Sequence, residues 1–224
     1  MENFIKEFDI KYRSIIGDYN VELARGFIPV SYHGSQVKDE FTSAWYHIIN
    51  YLEKLPQRHI TFLEIGAYKG LWPLMFSEVC NYLEKTPVYT TVTLLGQDIN
   101  NAPLLNVKKY YEENEWEFNL IDANSIFPST KDNVLEYHKS YNLVFIDADH
   151  RYEFAKQDIE LYSPLCTDIQ IFHDVKPRIA TADVGVWKAI EELNIELDME
   201  FSTNELNYGL GLKFYNLRNE SINN

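Results

Sequence analysis

Two apolar runs, Tyr141-Asn142-Leu143-Val144-Phe145-Ile146 and Asp168-Ile169-Gln170-Ile171-Phe172, each lead straight into acidic residues. Asp147 and Asp149 follow the first and Asp174 the second, with one helical pattern between the runs. An apolar strand, a helix and a second apolar strand form the repeating unit of a parallel sheet. Parallel neighbours need a long crossover, and helices covering both faces make the strands apolar throughout. Polar groups then collect where the strands end, at the edge where such sheets bind ligands.

The repeat runs through most of the chain. From Ile60 the pattern predicts strand 60–65, helix 72–85, strand 89–98, helix 102–113, strand 116–121, a short helix 131–139, strand 142–147, helix 151–162 and strand 169–173. Right-handed crossovers place these helices on both faces of a mostly parallel α/β sheet. Helix 183–194 is followed by two strand-like pieces, 199–203 and 208–215, and the short link Asn204-Glu205-Leu206-Asn207 forces them into an antiparallel C-terminal hairpin. Upstream, residues 3–16 and 38–55 read as helices. In the second, Phe41, Trp45, Ile48, Ile49 and Leu52 recur at helical spacing and Pro56 ends the run. The loop Gly26 to Ser35 between them either covers a pocket or simply links two helices. A chain of 224 residues fits one domain of this kind, with residues 1–58 as a helical cap continuous with a core over 59–216.

Charge narrows the ligand. With 34 acidic against 20 basic side chains the net charge is −14, and no basic cluster is present, so nucleic acid is a disfavoured partner. The N-terminus carries acids where an export signal needs a basic start, and no apolar segment approaches the roughly 20 residues of a membrane span. A soluble cytoplasmic protein is the expectation, and a homo-oligomer is compatible with it. Cys80 and Cys166 lack metal or redox spacing and read as buried, reduced thiols.

Chemistry-bearing residues cluster at the predicted strand ends. The first strand runs into Leu63-Glu64-Ile65-Gly66-Ala67-Tyr68-Lys69-Gly70, with Pro73 near the start of the next helix. Gly66 and Gly70 allow a sharp turn and close approach to a ligand, but only G-x-x-x-G is present, not the G-x-G-x-x-G of a dinucleotide fingerprint. Glu64 would accept hydrogen bonds from an ammonium group and repel a pyrophosphate; equally, it could cap a backbone turn. Gly96-Gln97-Asp98-Ile99-Asn100 ends the second predicted strand, where an acid commonly holds a ribose diol. After the third, Asp122 could meet an adenine amino group or cap the loop that follows. Asp147, Asp149, His150, His173 and Asp174 form the densest polar group, able to bind a divalent cation or to supply a general base. Of these, Asp149 reads as the cap of the helix from Arg151. His33 and His138 are isolated.

These residues together resemble the class I S-adenosylmethionine-dependent methyltransferases, and within them methyltransferase family 24, a small-molecule O-methyltransferase-like group. The resemblance lies in Leu63 to Gly70, Asp98, Phe145 to Glu153 with Asp158-Ile159, Phe172 to Val175, Gly185-Val186-Trp187 and Tyr208 to Gly211, and it covers roughly residues 30–215. It implies a Rossmann-like seven-stranded sheet with the last strand inserted antiparallel. It also implies S-adenosylmethionine as cofactor, with Glu64, Gly66 and Gly70 lining the methionine part, Asp98 the ribose, Asp122 and Ala123 the adenine, and Ala67, Tyr68, Ile99 and Asp147 as further cofactor-binding residues. Asp147, His150 and Asp174 become the catalytic candidates. Related enzymes hold magnesium or a similar divalent cation with two aspartates and an asparagine. Here Asp147 and Asp174 match the acids, but Val175 stands at the asparagine position. Either His173, Asp149 or water completes a metal shell, or no metal binds and His150 is the base. The family usually has small residues where Leu71-Trp72-Pro73 stands, so Trp72 is expected to narrow the cofactor entrance. The resemblance implies methyl transfer to a hydroxyl of a small molecule or sugar; the alternative is a non-catalytic partner module that keeps the cofactor pocket.

Overall fold

The computed structural model describes residues 1–17, 21–22, 29–30, 38–95, 102–176, 185–202 and 209–216. Helix α1 (Glu2–Gly17) is followed by a short antiparallel ladder, β1 (Val21–Glu22) with β2 (Pro29–Val30), and by α2 (Lys38–Lys54). Alternation then begins: β3 (His59–Ile65), α3 (Leu71–Tyr82), β4 (Thr86–Thr93), α4 (Ala102–Glu113), β5 (Glu117–Asp122), α5 (Pro128–Tyr137), β6 (Tyr141–Ile146), α6 (Tyr152–Tyr162) and β7 (Cys166–His173). Helix α7 (Val186–Glu192) leads to β8 (Met199–Phe201) and β9 (Leu210–Phe214).

The seven-stranded sheet has the order β5-β4-β3-β6-β7-β9-β8. Strands β3 to β7 run parallel, and β9 lies antiparallel between β7 and β8. The sheet is thus Rossmann-like and mostly parallel, with the last strand inserted antiparallel as expected. Chain order reverses between β3 and β6, which opens a crevice at their C-terminal ends.

Side-chain alternation divides the core in two. Phe62, Phe145, Ile169 and Ile171 face one layer with Trp45, Ile48, Trp72 and Phe76 from α2 and α3; Leu63, Val144, Ile146 and Phe172 face the other with Ile159 and Tyr162 of α6 and Val186 of α7. Helix α1 belongs to the first layer. Its Phe4 stacks on Tyr82 with centroids 3.7 Å apart, Phe8 meets Trp45 edge-on, and the Tyr12 hydroxyl donates to Glu78 at 2.7 Å.

Several boundaries differ from the sequence pattern for physical reasons. Strand β4 begins at Thr86, because Pro87 lies near its start where a missing N–H is tolerated, and it ends at Thr93 rather than at residue 98. Its partners stop there too: Ile65 pairs with Val92 and Asp122 with Thr93, after which the Leu95 N–H turns to an Asp122 side-chain oxygen at 3.0 Å. Helix α5 starts three residues early, at Pro128, where proline suits a first turn. Cys80 is buried and Cys166 half-buried, both as free thiols. No described helix is long and apolar enough to cross a membrane.

Candidate functional site

Register builds the centre of the crevice. Glu64 lies opposite Thr91 on β4 and Phe145 on β6, and Phe145 lies opposite Ile171 on β7. Two residues further along, the same alternation brings Gly66, Asp147 and His173 into line on the same face. The contacts agree: the Asp147 N–H donates to Ile65 O at 2.9 Å, and His173 Nδ1 lies 2.8 Å from Asp147 Oδ1. Gly66 has φ +95°, and a Cβ there would stand 2.4 Å from the Asp147 carbonyl and 2.6 Å from Ala148 Cα. Only glycine lets β3 leave the sheet this close to β6.

On the β3 side of the crevice, Glu64 is 1% exposed and its Oε2 has no hydrogen-bond partner among the described residues. Burial, reinforced by the Asp147 carboxylate, holds its pKa well above the ordinary glutamate range. Thr91, across the register, also carries a buried hydroxyl without a described partner. Nothing in the sequence singles out Thr91, since only strand register places it beside Glu64. Ala67 is buried and Tyr68 exposed, the latter with φ 43°, and Gly70 in the left-handed region is the N-cap of α3.

Further along the sheet, Asp122 Oδ1 accepts the Leu95 N–H at 3.0 Å, a bond to the segment after β4 and not to the loop that follows Asp122 itself, while the Ala123 N–H bonds Thr93 O at 3.2 Å. Asp98 and Ile99 lie outside the described residues, as do His33 and Tyr208. His138 is remote from this group and contacts Glu117 at 3.2 Å.

On the β6–β7 side, two imidazole–carboxylate pairs stand together. His173 pairs with Asp147, and His150 Nδ1 lies 2.5 Å from Asp174 Oδ2, with the two rings 6.0 Å apart. Asp174 is 2% exposed, adopts φ 60°, and leaves its Oδ1 without a hydrogen-bond partner among the described residues, 3.7 Å from His173 Nδ1. Burial pulls the His150 pKa down. The hydrogen bond to Asp174 and the charges of Asp147 and Asp174 outweigh it, so His150 sits above its ordinary value. Its main chain is anchored by the Gly185 N–H, which donates to His150 O at 2.8 Å. A Cβ on Gly185 would stand 2.4 Å from Tyr152 Cβ, so the chain entering α7 can approach α6 only as glycine.

Two expectations need correction. Asp149 does not cap α6; Arg151 occupies the N-cap position, and Asp149 instead accepts the Arg151 N–H at 3.0 Å and grips its guanidinium, an Asx turn one step earlier. Trp72 does not stand at an entrance but is buried against Trp45, Phe62 and Phe145, with centroids 5.1, 6.1 and 4.4 Å away. Among the described residues, Asp147, His150 and His173 each have a donor atom within 4.8 Å of the other two. Asp174 touches both imidazoles, with Oδ2 2.5 Å from His150 Nδ1 and Oδ1 3.7 Å from His173 Nδ1.

Sheet order, inserted strand and strand-end acids define a Rossmann-like class I methyltransferase. The profile of the family described as "Methyltransferase domain", methyltransferase family 24, matches residues 63–175, and the chain belongs to this S-adenosylmethionine-dependent family. Among solved structures, CalS11, a TDP-rhamnose 3'-O-methyltransferase of calicheamicin biosynthesis, is similar with TM-score 0.56 at 11% identity, over 94% of each chain. A Listeria monocytogenes protein described as a class I S-adenosylmethionine-dependent methyltransferase is similar with TM-score 0.50 at 11% identity, over 96% of this chain and 69% of that one. MycE of the mycinamycin pathway, in complex with Mg, SAH and mycinamycin VI, gives TM-score 0.50 at 10% identity, over 93% of this chain and 53% of that one. At such identities the likeness is one of fold. Comparison with curated proteins gives no significant match.

Proposed function

We propose that this protein transfers the methyl group of S-adenosylmethionine to a hydroxyl of a small molecule or sugar. The observation that carries this reading is Glu64, a buried carboxylate with an unpartnered oxygen, set beside the glycine turn of β3 and close to Asp147. Such a group calls for a cationic ligand, and the cofactor offers an ammonium and a sulfonium within one molecule. Glu64, Gly66, Ala67, Tyr68 and Gly70 would hold its amino-acid part, with Asp122 and Ala123 toward the base and Asp98 and Ile99 toward the ribose. The bound cofactor supplies an electrophilic methyl carbon.

The chain's own contribution is placement and proton control. Asp147 stands between Glu64 and His173, at the boundary of the cofactor and acceptor sides. Asp174 holds His150 Nδ1 and so turns Nε2 outward as a lone pair, available to a proton or to a cation. Asp147, His150 and Asp174 would thus lower the proton affinity of the acceptor hydroxyl, and alignment of that oxygen with the methyl carbon supplies the rest. Natural-product and sugar O-methyltransferases among the similar folds agree with an acceptor of this class.

Calorimetry with S-adenosylmethionine and S-adenosylhomocysteine is expected to show one site per chain. Methyl transfer to a panel of sugar and phenolic hydroxyls should then be lost in Asp147→Ala while cofactor-free folding persists. A folded protein that binds neither cofactor form would rule out this reading.

A further inference from the structure

Asp147, His150 and His173 each offer one donor atom to a common point, since these atoms lie within 4.8 Å of one another. His173 Nδ1 and Asp147 Oδ1 are 2.8 Å apart, which matches adjacent donors on one ion: two bonds of about 2.1 Å at a right angle end about 3 Å apart. His150 Nδ1 is engaged by the Asp174 carboxylate at 2.5 Å, which fixes the ring and makes Nε2 the nitrogen left for an ion. This is the carboxylate–histidine arrangement that orients and strengthens metal-bound imidazoles. The surroundings favour a cation as well: Asp174 Oδ1 is buried without a hydrogen-bond partner among the described residues.

The donor set decides which cation. Magnesium needs an octahedron of hard oxygens and loses its water reluctantly, so carboxylate and asparagine oxygens suit it. Here imidazoles supply two of the three donors, and Val175 offers none. Two imidazoles and one carboxylate suit the first-row transition ions, and three protein donors leave positions open for a ligand oxygen. We propose that Asp147, His150 and His173 form a binding site for a first-row transition-metal dication such as Zn²⁺, Co²⁺ or Fe²⁺ in preference to Mg²⁺, with Asp174 as the outer carboxylate that positions His150. The proposal deepens the acceptor side of the methyltransferase reading and rests on it for the role of the open positions.

The full-length chain, stripped with a chelator, is titrated with ZnCl₂, CoCl₂ and MgCl₂ by calorimetry, and the Co²⁺ form is followed by its visible d–d bands. One Zn²⁺ or Co²⁺ per chain is expected, bound at least about 100-fold more tightly than Mg²⁺. His150→Ala and His173→Ala should each weaken Zn²⁺ binding at least about 10-fold, and Asp174→Asn about 10- to 100-fold with the stoichiometry kept. His173→Asp, which replaces a nitrogen donor by oxygen, should narrow the Zn²⁺/Mg²⁺ ratio. S-adenosylhomocysteine binding by each variant reports folding and tests the cofactor half separately. Mg²⁺ binding as tight as Zn²⁺, no stoichiometric Zn²⁺ or Co²⁺ site, or a site that survives both alanine variants overturns the proposal. If metal binds as expected and S-adenosylhomocysteine does not, the cofactor reading fails and the metal site stands.

Discussion

Glu64 is the residue on which the proposed cofactor site rests. In the sequence it is one acid in an apolar run, equally a turn cap or an ammonium acceptor. In the structure its Oε2 is buried beside Asp147 with no hydrogen-bond partner among the described residues, and burial favours its protonated form. Glu64→Gln removes the buried charge but keeps the volume. It should therefore leave the ligand-free protein as stable as the wild type or more so, while weakening S-adenosylhomocysteine binding about 10-fold or more, the size of one charge-assisted hydrogen bond. Parallel thermal melts and calorimetry check both halves, and an unchanged affinity would remove Glu64 from the cofactor site. Gly66 was readable as a turn residue. The reason it must be glycine, the Asp147 carbonyl 2.4 Å from its missing Cβ, comes from the exit of β6, 147 − 66 = 81 residues away in sequence.

Helix α6 and the loop after β5 form the next scale. The Tyr162 hydroxyl donates to Ser125 O at 2.7 Å and the Gln157 amide to Ile126 O at 2.8 Å, so α6 braces the loop that carries Asp122 and Ala123. Asp158 is buried in the same helix, and neither of its oxygens has a hydrogen-bond partner among the described residues. Burial raises its pKa from 3.8 to about 7, against a smaller opposing pull from the Ser125 side chain. The folded state therefore keeps this proton between about pH 4 and pH 7, where the unfolded chain has lost it. Stability falls by up to about 1.4 kcal/mol per pH unit over that window and levels off above pH 7. Relative to Asp158→Asn, the wild type should lose stability from pH 5 to pH 7 and no further by pH 8. Denaturant unfolding of both proteins at the three pH values measures this, and parallel profiles would show that Asp158 is not the group responsible. The sequence offered Asp158 only as part of a family pattern, because nothing in a helical heptad says whether the face bearing an aspartate is covered.

At the scale of the whole molecule, the N-terminal helices share one hydrophobic layer with the sheet, as the packing of Phe8 on Trp45 and of Phe4 on Tyr82 shows. If residues 1–58 are continuous with the core, Phe8→Ala should cost about 3–5 kcal/mol and lower a single, still cooperative melting transition by roughly 10 °C. A separate low-temperature transition, with the main one unmoved, would instead mark the N-terminal part as an independent unit. The sequence by itself determined the alternating α/β order, the antiparallel closing strands and the strand-end positions of Glu64, Asp147 and Asp174, because these follow from periodicity and turn chemistry along the chain. Tertiary structure alone decided which of those residues meet. The pairing of His173 with Asp147 depends on the register between β6 and β7. That of His150 with Asp174 depends on how the β6 exit is tied to Gly185, and the burial of Trp72 on what α1 and α2 lay over α3. Each is a contact between segments far apart in the chain, and local propensity carries no information about such distances.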